Sequence, residues 1–161
     1  MIPVPTYTKV FNTPKKLQMG LNLWPPFIFS RIRVESIQQD YRQIVVSIKL
    51  SWLNKNNFGT IFGGALYSMT DPFFATMVLE NLSDDYFVWD KYSEIEYIKP
   101  GRGKVTGTFQ INQEQIDDVI ANTESGDPYF PEFKVDLFDQ ANEKIATVKK
   151  KIYVRRKPRA R

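Results

Sequence analysis

A single acid follows a pair of glycines in the stretch Asn56-Asn57-Phe58-Gly59-Thr60-Ile61-Phe62-Gly63-Gly64-Ala65-Leu66-Tyr67-Ser68-Met69-Thr70-Asp71-Pro72. Glycine lets a backbone approach a ligand closely, and a helix beginning there aims unpaired N–H groups outward. Such groups stabilise negative charge, whether on a phosphate or on the oxygen of a reacting carbonyl. Asp71 comes eight residues after Gly63, about two helical turns along. A helix starting at Gly63-Gly64 would carry an oxyanion site at its end and an acid/base group on its flank.

The chain has no cysteine and no histidine. That excludes a disulfide framework, a thiolate or imidazole metal site, a cysteine nucleophile and a Ser-His-Asp triad. A hydrolase built from these residues must take its base from a carboxylate, a lysine or a tyrosine. No calcium-loop pattern is present, so the sequence calls for no metal and no bound cofactor.

The elements that must hold these residues can be read from apolar spacing. Thr13-Pro14 reads as an N-cap with proline in the first turn, predicting a short helix over Pro14–Leu23, stopped by Trp24-Pro25-Pro26. Phe27 to Ser36 and Tyr41 to Leu53 read as a β-hairpin, the second run alternating Ile44, Val46, Ile48, Leu50 and Trp52. Phe62, Leu66, Met69, Phe73 and Met77 recur at three and four residues, predicting one long helix that runs through Pro72 to Asn81. Strands are predicted over Tyr86 to Lys99, Lys104 to Ile111, Glu132 to Phe138 and Lys144 to Arg155, with a short helix from Ile111 to Asn122. One long helix against six mostly antiparallel strands is an α+β architecture, and 161 residues suit one domain, 1–161.

Each candidate also has a plainer reading. Asp71-Pro72 could cap a fresh helix, and Gly63-Gly64 could serve only close packing. Asn56 lies in a polar loop, where asparagine commonly builds turns. Asp90 is expected to pair with Lys91 or another cation, and alternation puts Glu94 and Glu96 on its face of the strand.

Net charge is +4, but eight cations and no acid fall from Lys149 onward, so the rest of the chain carries −4. A solvated last strand and basic tail, about 156–161, is the expected reading. Nucleic-acid binding is the weaker one, because most of the chain does not contribute to the patch. No run is apolar enough for a membrane span, and Met1 to Thr6 lacks the features of a signal peptide, which points to the cytoplasm.

The motif resembles the hotdog-fold thioesterases, in particular the phenylacetate-pathway branch. That branch reads approximately Asn, Gly, His-Gly-Gly and then Asp nine residues after the His. Asn56, Gly59, Phe62-Gly63-Gly64 and Asp71 stand in those positions. Trp89-Asp90-Lys91 followed by Pro100-Gly101-Arg102-Gly103 is similar to a little-characterised bacterial subgroup, a domain of unknown function within that superfamily. The resemblance implies a long central helix wrapped by a curved sheet, and homodimers, possibly paired again. It implies hydrolysis of an acyl-coenzyme A or acyl-carrier thioester, with coenzyme A present only as part of the substrate.

In that comparison Gly63 polarises the carbonyl, Asp71 acts as base or nucleophile, and Asn56 orients the water. Asp and glycine donors come from different subunits. Gly64, Phe62, Asp90 and Lys91 lie where substrate contacts fall. Leu66, Phe73, Phe74 and Met77 are expected to line the acyl site with Phe62, and the basic last strand to meet coenzyme phosphates. The departure is Phe62, where the branch commonly has histidine. It makes a non-catalytic acyl-thioester or lipid binder the alternative, while a dehydratase of this fold usually needs the missing histidine.

Overall fold

The computed structural model describes residues 11–158; the N-terminal segment read for a leader and the last three residues of the basic tail lie outside the described residues. Helix α1 (Pro14–Leu23) forms where its cap signal places it, with the Thr13 hydroxyl accepting from the Lys16 N–H. The expected hairpin forms, but its first strand starts later than the alternation suggested. Pro25–Ser30 is a short helix, α2, and β1 (Ile32–Ile37) begins only after Arg31 turns into the left-handed region at φ 60°. Two prolines at the start of Pro25-Pro26-Phe27-Ile28-Phe29-Ser30 favour a first helical turn, and this outweighs the β propensity of its aromatic and branched residues.

Strands β2 (Gln43–Lys49), β3 (Tyr86–Tyr97), β4 (Lys104–Gln110), β5 (Glu132–Asp139) and β6 (Lys144–Arg156) complete one antiparallel sheet in the order β1-β2-β4-β5-β6-β3. The helix between β4 and β5, Gln113–Asn122, opens on a reciprocal Asn112/Gln115 capping box.

The central helix is two helices. The first runs Gly63–Ser68 and the second Phe73–Asn81. Pro72 has no N–H to give the Ser68 carbonyl, and its ring excludes that turn. The chain therefore closes the first helix with tight bonds, Thr70 N–H to Tyr67 O at 2.9 Å and Asp71 N–H to Ser68 O at 3.2 Å. It restarts with Thr76 N–H to Pro72 O at 3.0 Å. Periodicity survives the break because both helices bury the same side: Leu66, Met69, Phe73 and Met77 are all buried. In chain order these helices are α3 and α4, and Gln113–Asn122 is α5.

The sheet curls around α4. Phe73 stands 6.0 Å from Phe27 and 5.0 Å from Phe109, ring centre to ring centre, and Phe74 stands 5.2 Å from Phe109 and 5.0 Å from Phe133. Phe73, Phe74 and Met77 are therefore core, and the expectation that they line an acyl site is corrected. Phe73→Ala should lower unfolding free energy by about 3–5 kcal/mol, measured as a fall in the denaturant midpoint.

The two edges of the sheet are treated differently. On β1, Gln18 donates to the carbonyls of Val34 and Glu35, while Asn22 donates to Val34 O and accepts from Val34 N–H. Helix α1 thus covers that edge. The other edge is β3, twelve residues long, with β6 on one side and, among the described residues, no strand on the other.

Candidate active site

Asp71 occupies the gap between α3 and α4, which leaves its side chain free to point away from the core. It faces β3 and β6 in a cleft of about 380 Å³, whose walls include Trp24, Phe27, Tyr67, Asp90, Lys91 and Lys150. The Asp71 side chain remains 58% exposed.

Beneath it lies Lys150, which is 4% exposed. On β6, Ala146, Val148, Ile152 and Val154 point inward, and Lys150 takes the inward place between Val148 and Ile152. A lone ammonium there would be costly, so it must be paired. Its Nζ donates to Asp90 Oδ2, stands 3.9 Å from Asp71 Oδ1 and lies 5.7 Å from the Tyr67 ring centre. Asp90 is therefore partnered by Lys150, across the sheet, and not by its neighbour Lys91. The other Asp90 oxygen, Oδ1, is buried without a hydrogen-bond partner.

A β-bulge makes this possible. The β3–β6 register pairs Asp90 with Ile152 and Tyr92 with Lys151, skipping Lys91. Before the bulge Val88 and Asp90 face inward; after it Ser93 and Ile95 do. Glu94 and Glu96 consequently lie on the opposite face from Asp90, contrary to simple alternation. Glu94 pairs with Lys149 at 2.9 Å there, and Lys151 pairs with Glu132 at 2.8 Å. Of the basic segment expected to meet coenzyme phosphates or nucleic acid, Lys149, Lys150 and Lys151 are thus paired with acids, while Arg155 and Lys157 donate to the carbonyls of Gly126 and Asp84.

Burial pushes the Asp71 carboxyl up from its usual range, the Lys150 ammonium pulls it down, and the charge and hydrogen bonding of Asp90 push it up again, with a net rise. A carboxyl raised in this way holds a proton more readily than a solvated aspartate does.

Gly63 lies elsewhere. It opens α3, where first-turn N–H groups have no carbonyl a turn earlier, and lines a second cleft of about 520 Å³ with Leu66, Tyr97 and Arg102. A Cβ on Gly63 would sit 3.0 Å from the Tyr97 ring, and one on Gly64 only 2.4 Å from the Phe62 ring (that of a 57% exposed side chain). A side chain at either position would have to displace an exposed ring, Tyr97 at Gly63 and Phe62 at Gly64. Asn56 lines this second cleft too, but its amide closes its own loop. It donates to Thr60 Oγ1 at 3.0 Å and accepts from Phe58 N–H at 3.0 Å and Thr60 N–H at 3.1 Å. Asn56 is a loop-builder in this structure.

Within one chain, then, Asp71, Asp90, Lys91 and Lys150 come together, while Gly63, Asn56 and Leu66 gather in a separate cleft. Among the described residues no group of three or more carboxylates converges in a way that would hold a metal ion.

Comparison with known proteins places this arrangement. The family model described as "Domain of unknown function (DUF4442)" matches residues 15–154. A protein of unknown function from Pseudomonas aeruginosa, described as a probable thioesterase, is 15% identical with a TM-score of 0.77, over 96% of this chain and 97% of that one. A thioesterase from Haemophilus influenzae is 13% identical with a TM-score of 0.65, over 89% and 91% of the two chains. The PaaI protein of the phenylacetic acid degradation operon of E. coli is 15% identical with a TM-score of 0.59, over 87% and 89%. No curated protein matches the chain. At these identities the likeness establishes the fold, which is the α+β hotdog fold.

Proposed function

The chain belongs to the family of the domain of unknown function DUF4442, and from that premise we propose that it is a thioesterase whose working site forms between two copies of the chain. Asp71 comes from one copy and the Gly63 backbone from the other. The observation that carries this reading is the placement of the two clefts along the open edge strand. The middle of β3 lines the Asp71 cleft through Asp90, Lys91, Tyr92 and Ser93; its last residue, Tyr97, and the three that follow line the Gly63 cleft. If two β3 strands pair antiparallel across a two-fold axis near Ile95, Asp90 to Ser93 of each lie against Tyr97 to Pro100 of the other. Each Asp71 cleft then abuts the partner's Gly63 cleft. The β1 edge covered by α1 and the β3 edge, which has no strand beside it among the described residues, support this choice of interface.

In such a joint cleft ionised Asp71 takes a proton from water as the water oxygen bonds to the thioester carbonyl carbon. The carbonyl electron pair moves to oxygen, where the Gly63 N–H of the other copy stabilises it. Collapse of this intermediate breaks the C–S bond. The proton on Asp71 then passes to the departing sulfur, giving a carboxylic acid, a thiol and regenerated carboxylate. The two clefts differ in chemistry. In the Asp71 cleft two acids are balanced by Lys91 and Lys150, and the apolar surfaces of Trp24 and Phe27 suit an acyl group. Lys99 and Arg102 rim the Gly63 cleft and suit a phosphate-bearing carrier such as coenzyme A.

The second reading, a non-catalytic acyl-thioester binder, draws on Phe62, whose apolar ring crowds Gly64 where the related branch carries histidine. Thiol release from a panel of aliphatic and aromatic acyl-coenzyme A esters separates the two. Turnover of at least one member is expected. Saturable binding by calorimetry without thiol release from any member would favour the binder.

A further inference from the structure

We propose that Asp90 and Lys150 are positioning residues for Asp71: a buried ion pair that fixes how many protons the cleft carries and so keeps Asp71 ionised. The inference rests on the reading of Asp71 as the base.

Lys150 sits on the apolar inward face of β6, where an ammonium needs an anion. A purely structural pair would match it with one acid. Here it faces two, Asp90 in direct contact and Asp71 at 3.9 Å. Asp90 also keeps one buried oxygen free of hydrogen bonds, on the wall of the same cleft. With both acids ionised the three groups carry one excess negative charge, the amount a single base requires.

Among the described residues the titratable groups on the wall around Asp71 can be named. Tyr67 comes from α3; Asp90, Lys91 and Tyr92 come from β3, with the Tyr92 hydroxyl turned to Glu94; Lys150 comes from β6; α2 and the Trp24 that precedes it contribute only Trp24, Pro26 and Phe27 to this part of the wall. Lys149 and Lys151 point to the other face and are held by Glu94 and Glu132. Lys150 is thus the inward cation between the two acids. Without it, two neighbouring carboxylates share a proton, and Asp71 holds that proton when it should be accepting one from water. Without the Asp90 charge, Lys150 acts on Asp71 alone and the acid ionises more readily.

The test is the pH profile of kcat/KM for the wild type, K150M, K150R, D90N and the D90N/K150M double variant. In K150M the acid limb should move up by about one pH unit or more, giving roughly a tenfold loss on that limb that recovers in alkali. In D90N it should move down. K150R should hold the wild-type limb whatever its rate, and the double variant should return towards it. The proposal is overturned if K150M loses the same factor at every pH, or if K150M and D90N shift in the same direction. Should K150M fail to fold, D90N alone decides: a downward shift supports the proposal, and a fixed or upward limb overturns it. Carbon-13 NMR titration of the Asp71 carboxyl reads the same shifts without turnover. Opposite NMR shifts in a protein inert to thioesters would sink the thioesterase reading and uphold the charge coupling; an active protein with unmoved limbs would sink the coupling alone.

Discussion

Asp71→Asn is expected to lower thioester hydrolysis by about 10²–10⁴-fold, the usual contribution of a positioned general base, and to leave the fold standing. Asparagine keeps the shape of the side chain but cannot take a proton from water. Asp71 is not a packing residue: it is more than half exposed in the gap between α3 and α4, and Lys150 retains its direct bond to Asp90 when Asp71 is changed. The denaturant midpoint should therefore correspond to a change within about 0.5 kcal/mol. Steady-state kinetics beside an unfolding curve make the measurement. Undiminished kcat/KM in a folded Asp71→Asn protein would move the base to another group, and the choice is narrow in a chain without histidine or cysteine.

The second large effect is a recovery. Gly63→Val places branched carbon against Tyr97, at the point where its N–H must stay open, and should inactivate the homodimer much as Asp71→Asn does. Neither variant alone has an intact site. If Asp71 and Gly63 act across the two-fold axis, a mixed dimer of the two variants has one site with both lesions and one with neither. Unfolding and refolding an equal mixture should thus restore about one quarter of wild-type activity, since half the dimers are mixed and half their sites are whole. No recovery in mixtures shown by mass spectrometry to contain mixed dimers would mean that each site is built within one chain.

Much of this architecture was legible in the sequence. Thr13-Pro14 marked the first helix to the residue, and alternation located the strands, because a half-buried antiparallel strand leaves a period of two that needs no tertiary knowledge. Three features escaped for three physical reasons. The break at Asp71-Pro72 was hidden by the burial of Leu66, Met69, Phe73 and Met77 on one side, which keeps a helical phase across a gap that is not helical. The first four residues of the strand expected from Phe27 proved to belong to α2, with β1 beginning only at Ile32, because local proline chemistry governs the start of that segment. Lys150 was overlooked because its type says surface, although its place in the run Val148, Lys150, Ile152 says interior. The clash between type and place was itself the available signal. Asp71 and Asp90 were both singled out as candidates from the residues, but their link through Lys150 was not: Asp90 and Lys150 lie sixty positions apart and meet only because β3 and β6 are neighbours.

The bulge at Lys91 makes the wall of the cleft a matter of counting as well as of chemistry. Strand β3 is written in two frames, one parity inward up to Asp90 and the other inward from Ser93. Loss of the single codon for Lys91 would merge the frames. With Ile95 and Tyr97 held in place by their β6 partners, Asp90 would still pair with Ile152 and face inward; the ladder would lose only its bulge, and the cleft wall only Lys91. Within this strand a deletion at the bulge and a substitution of Asp90 are therefore different lesions. A gap at this position in a relative speaks of Lys91 and not of Asp90.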